Sequence, residues 1–108
     1  MFPDDPPRFL ARVPHGYHAP RAIAQDLARG GFTRPAAFTT LAVRSRAPTP
    51  HVPAVGYCQG TPLRAEIEAR GPGRLDEATT IVATAIERRF GVGPVDGKIQ
   101  AHVVTVER

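Results

Sequence analysis

Twelve prolines in 108 residues set the limits on this fold. Each removes a backbone donor, fixes φ, and breaks a helix interior or a central strand. Pro3, Pro6, Pro7 and Pro14 fall in the first nineteen residues, so 1–19 reads as extended loop. Pro20 suits the first position of a helix, where no amide bond is needed. In the helix predicted over 20–29, Ile23 and Leu27 share a face, with Ala24 and Ala28 beside them. Gly30 and Gly31 are read as supplying positive φ at its end. Its N-cap is weak, because Ala19 stands where Asp, Ser or Asn would hold the free amides.

"AAFTTLAVRSR", residues 36–46, is rich in β-branched and aromatic side chains and reads as a strand buried on much of both faces. Pro48, Pro50 and Pro53 stop it. Residues 51–90 read as a helical insertion. "VGYCQ" is a short turn or helix, and Thr61-Pro62 is a cap followed by a first-position proline. Leu63 and Ile67 form one stripe, and Gly71-Pro72-Gly73 breaks that helix. The next, about 75–90, places Leu75, Ala78, Val82, Ala85, Ile86 and Arg89 on one broad face. "KIQAHVVTV", 98–106, alternates as a strand does, with Ile99, Ala101 and Val103 on one side and Lys98, Gln100 and His102 on the other. The order is loop, helix, strand, helical insertion, strand, which is an α/β arrangement.

Charge narrows the function. The net charge is +4, and all of the excess lies in residues 1–50, carried by arginines spread singly. A nucleic-acid surface needs clustered basic groups with aromatics between them. This pattern and the lack of tryptophan point to a solvated surface and no nucleic-acid partner. There is no apolar run long enough for a membrane span, and "MFPDDPPRF" lacks the basic start and apolar middle of a secretory signal. The single cysteine, Cys58, forms no internal disulfide, for which a reducing cytoplasm is the simplest compartment.

Two stretches carry polar chemistry. In "PHGYHAP", His15 and His18 have a metal-compatible spacing on a helix, but Pro14, Gly16 and Pro20 argue against a helix there. No further donor converges nearby, so no metal site is expected. They read as loop histidines lining a cleft beside Tyr17. His51 reads as a loop residue, and His102 as a structural residue of a strand. Cys58 reads as a buried free thiol rather than a nucleophile. In "GYCQGTPLR", 56–64, Tyr57, Gln59, Thr61 and Arg64 surround a helix N-terminus. That combination either fixes a polar ligand or is a capped helix packed by Tyr57. "FGVGPVDG", 90–97, follows a helix and precedes a strand. A phosphate-cradling loop needs the reverse order, so these glycines are a helix stop and turn.

"VPHGYHAPRAIAQDLARGGF", "YCQGTPLRAEIEAR" and "GVGPVDGKIQAHVVT" together resemble the C-terminal part of class I S-adenosylmethionine-dependent methyltransferases of the bacterial small-molecule, ubiquinone/menaquinone methyltransferase-like type. The resemblance covers about residues 2–106. It implies a partial domain from a Rossmann-like methyltransferase sheet, in which 36–46 and 98–106 are the last two strands, an antiparallel pair with a helical lid insertion over 51–90. It also implies a small-molecule substrate held by His15, Tyr17, His18, Tyr57, Gln59, Thr61 and Arg64. S-adenosylmethionine is expected for the full-length family. The glycine-rich cofactor loop and the ribose-binding carboxylate have no counterpart here, so this chain is expected to hold no cofactor site and to be inactive alone. Its expected partner is the missing N-terminal methyltransferase half, or a second copy paired through strand 98–106. A stand-alone α+β ligand-binding or interaction module without catalysis is the alternative.

Overall fold

The structure is a computed structural model that describes residues 1–12 and 15–108. Val13 and Pro14, the latter part of the "PHGYH" reading, lie outside the described residues. The chain runs α1 (Phe9–Arg12), α2 (Pro20–Arg29), β1 (Ala37–Ala47), α3 (His51–Gln59), α4 (Leu63–Arg70), α5 (Leu75–Phe90) and β2 (Val95–Thr105). The architecture is α/β with one two-stranded antiparallel sheet. None of the described helices is long and apolar enough to cross a membrane.

The reading of 1–19 as loop throughout is corrected by α1. Prolines stop at Pro7, so the chain is free to close one helical turn, with the Arg12 amide bonded to the Arg8 carbonyl at 2.8 Å. Helix α2 opens on Pro20 with no side-chain cap, as Ala19 requires. At its end only Gly31 has positive φ, at 100°, while Gly30 stays near helical values. The Phe32 amide reaches back to the Leu27 carbonyl at 3.2 Å and satisfies one of the last carbonyls. His51 is not a loop residue but opens α3, and Pro53 is tolerated there because the first turn of a helix needs no amide donors.

Helices α3, α4 and α5 pack together as one helical body. Its core is Cys58, Ile67, Leu75 and Ala78, with Phe2, Leu63 and Val82 packed around them. The Leu63–Ile67 stripe and the first half of α5 therefore face inward, while the second half of α5 runs out into solvent. The N-terminal segment is strapped onto this body. Arg70 Nε donates to the Asp5 carbonyl at 2.8 Å, Arg12 pairs with Glu66, and the Arg74 guanidinium lies 5.6 Å from the Phe2 ring centroid. Gly71 gives the strap room to cross closely, since a Cβ there would press on the Phe2 ring at 3.1 Å.

The sheet is a separate arm. β1 and β2 pair over their full length, from Ala37 opposite Thr105 to Ala47 opposite Val95. Opposite residues share a face, so one face carries Leu41, Val43, Ile99, Ala101 and Val103 and the other carries Thr40, Arg44, Lys98, Gln100 and His102. The expectation that β1 is buried on both faces fails. Leu41, Val43, Ile99 and Val103 are 52%, 56%, 46% and 49% exposed. The strand composition is matched by a strand, but among the described residues no element covers that apolar face. The shape shows the same thing. The radius of gyration is 17.6 Å, whereas a compact chain of this length has about 13 Å. The accessible surface is 7786 Å², which exceeds the area of a compact monomer of this mass by roughly 1,900 Å².

Candidate functional site: a cavity beside the strand pair

Gly16 decides where "HGYH" goes. A Cβ at this position would collide with the Ala11 carbonyl, so only glycine lets the segment fold back against α1, where the His15 amide bonds the Leu10 carbonyl at 2.8 Å. Two further contacts hold the segment in place. The Tyr17 hydroxyl donates to Asp26 Oδ2 on α2 at 2.6 Å. From the sheet, His102 Nε2 lies 2.9 Å from the His18 carbonyl, and its Nδ1 lies 2.8 Å from Thr40 Oγ1. A carbonyl only accepts, so Nε2 carries the hydrogen and donates. His102 is thus a bridge between the sheet and the "HGYH" segment.

These tethers frame a cavity of about 690 Å³. His15, Tyr17 and His18 line one side, Ile23 of α2 and Tyr57 of α3 contribute walls, and Lys98 to His102 with Val104 complete it. Lys98, Gln100, His102 and Val104 share one face of β2, so the cavity lies against that face of the sheet.

Of the seven residues singled out from sequence, His15, Tyr17, His18 and Tyr57 meet in this cavity. Gln59, Thr61 and Arg64 do not line it. Gln59 Nε2 donates to Thr79 Oγ1 at 3.0 Å and serves to join α3 to α5. Thr61 Oγ1 donates to the Tyr57 carbonyl at 2.6 Å and accepts from the Leu63 amide at 3.2 Å, which ends α3 and starts α4. Arg64 is exposed on α4. The capped-helix reading of "GYCQGTPLR" thus accounts for Thr61, and of the four residues only Tyr57 lines the cavity. The sequence reading missed Lys98, Gln100 and His102 as lining residues. Their alternation along 98–106 was the available signal, but nothing local says which face of a strand meets a cavity.

The electrostatics follow from these contacts. The hydrogen bond to Asp26 raises the Tyr17 pKa above its ordinary value, helped by partial burial and the carboxylate's charge. Tyr17 is therefore a neutral donor, not a base. Burial pushes the Cys58 thiol up, with a smaller opposing effect from Thr79, so this buried thiol is not an activated nucleophile. At the far end of the strand pair, Arg44 Nε donates to Asp96 Oδ1 at 2.7 Å and holds the Asp96 carboxyl below its usual range. Among the described residues, no three His, Cys, Asp or Glu side chains converge as a metal site would need.

The residues present do not fit S-adenosylmethionine. A class I cofactor loop runs from a strand through glycines into a helix, so that free amides face the ligand. The strand-to-helix junction among the described residues is β1 to α3, and it holds Pro48, Thr49 and Pro50, two of which have no amide to offer. The glycine pairs at 30–31, 71–73 and 91–93 all follow helices instead. No protein-family model, curated protein or solved structure matches the chain.

Proposed function

We propose that this chain is the substrate-side cover of an S-adenosylmethionine-dependent methyltransferase acting on a small molecule, with the cofactor-binding half supplied by another polypeptide. The observation that carries this reading is the meeting of the "HGYH" segment and Tyr57 in one cavity against β2. A cover needs aromatic and polar side chains that position a substrate and exclude water, and the cavity offers both. It has no need of a nucleophile, and the only thiol is buried away.

The surface supports a missing partner. An apolar sheet face, an open strand edge and roughly 1,900 Å² of surface beyond that of a compact monomer are what one side of a large obligate interface leaves behind. In the family that the sequence resembles, a further strand lies beside β2 and helices cover the apolar face. The cytoplasm is the compartment this role requires.

The test is to express the chain with the polypeptide encoded immediately upstream and to titrate S-adenosylmethionine by calorimetry. The chain alone should bind none. The pair should co-elute and bind it, and should exchange the amides of β1 and β2 far more slowly than the chain alone. Micromolar binding by the chain alone, or the lack of an upstream product carrying a strand–glycine loop–helix unit, refutes the proposal. A chain that stays alone, binds no cofactor with any partner and still takes up ligands in its cavity would instead be a stand-alone binding module.

A further inference from the structure

The cavity's charge pattern says what it takes. Its lining holds the Lys98 ammonium, the imidazoles of His15, His18 and His102, the amide of Gln100 and the two tyrosines, with no carboxylate. Asp26, which bonds the lining residue Tyr17, is engaged: it accepts the Tyr17 hydroxyl at 2.6 Å and lies 3.6 Å from Arg29. On the same sheet face as Lys98, Asp96 is shared between Arg44, at 2.7 Å, and Arg46, at 3.7 Å. That face therefore carries three cations against one carboxylate. Lys98 takes part in none of the ion pairs among the described residues.

The geometry points to a small aromatic carboxylate as the ligand, its ring against the Tyr17 and Tyr57 phenol rings and its carboxylate at the Lys98 ammonium. The cavity volume of about 690 Å³ lies within the range typical of small-molecule sites. Flat rings gain from aromatic neighbours beyond their buried area. An ammonium on a flexible stem adapts its reach to an anion, and an ionised acceptor roughly doubles the strength of the hydrogen bond it makes. With Lys98 as the one fixed charge in the lining, an anionic group is favoured over a cationic one. The inference names the substrate class of the cover proposed above and rests on that reading only for the ligand's being a substrate.

The test is a matched pair of probes that differ in charge alone, naphthalene-2-carboxylate and naphthalene-2-carboxamide, titrated into the full chain near neutral pH at low salt and followed by amide chemical shifts. The carboxylate should bind about tenfold tighter, the effect of one charge-assisted hydrogen bond. Its shifts should centre on Lys98 to His102. The preference should shrink as salt rises and vanish in Lys98→Gln, an exposed position whose replacement spares the fold. Tyr57→Leu should weaken both probes alike. Equal binding of the two probes overturns the assignment. So does a preference that survives in Lys98→Gln, or shifts confined to residues outside the cavity lining. No cofactor or partner chain enters this titration, so its failure leaves the test with the upstream polypeptide untouched, and the reverse holds too.

Discussion

Removing the His102 side chain should free the "HGYH" segment without unfolding the helical body. The imidazole makes two hydrogen bonds, 2.9 Å to the His18 carbonyl and 2.8 Å to Thr40 Oγ1. His18 and Thr40 are both exposed, so water replaces what His102→Ala removes, and no buried polar group is stranded. The loss is then the net value of two bonds, about 1–2 kcal/mol, a roughly 5- to 30-fold rise in the open population. The loss should be local, because the core of Cys58, Ile67, Leu75 and Ala78 lies in another part of the molecule. Amide hydrogen exchange reads it: the His15 amide, bonded to Leu10, and the Ile23 amide, bonded to Ala19, should exchange faster by that factor. Amides of α4 and α5 should not change. Unchanged protection at His15, or an equal loss in α5, would refute the bridging role of His102.

The remaining predictions concern the helical body and the strand pair. Ile67 is 3% exposed at the centre of a small core, and Ile67→Ala should cost about 2–4 kcal/mol and lower the melting temperature by about 10 °C or more; a shift of only a degree or two would mean that the core is elsewhere. Cys58 should resist a water-soluble disulfide reagent in the folded chain and react much faster in the Ile67→Ala variant, because burial both shields the thiol and raises its pKa; immediate stoichiometric labelling of the native chain would contradict this. Asp96 has a folded pKa below its unfolded value of about 3.9. Its contribution is therefore present above that unfolded value and is lost as pH falls through the folded one. Asp96→Asn should flatten the acid side of the strand pair's stability profile, followed by amide exchange or strand chemical shifts, and an unchanged profile would remove the Arg44–Asp96 pair as its cause.

Local physics made much of the chain readable. Pro20 and the Ile23–Leu27 spacing marked out α2, and Pro62 with Gly71 bounded α4, because proline and glycine act on the backbone at their own positions. Alternation along 98–106 showed a strand and sorted Lys98, Gln100 and His102 from Ile99, Ala101 and Val103. Burial was not readable in the same way. "AAFTTLAVRSR" has the composition of a covered strand, yet whether a face is covered depends on what packs against it, and the described residues leave Leu41, Val43, Ile99 and Val103 about half exposed.

The site divides along the same line. By itself, the sequence determined which side chains are available, which segments are helix or strand, and that no strand–glycine–helix cofactor loop is among them, since these depend on residue type and near neighbours. Only the tertiary structure decided that Tyr57 meets His15, Tyr17 and His18, that Gln59 turns to Thr79 instead, and that His102 bonds a carbonyl 84 residues before it in the chain. The physical reason is loop closure: contacts between distant segments are set by how whole elements pack, and no local pattern records which faces will meet.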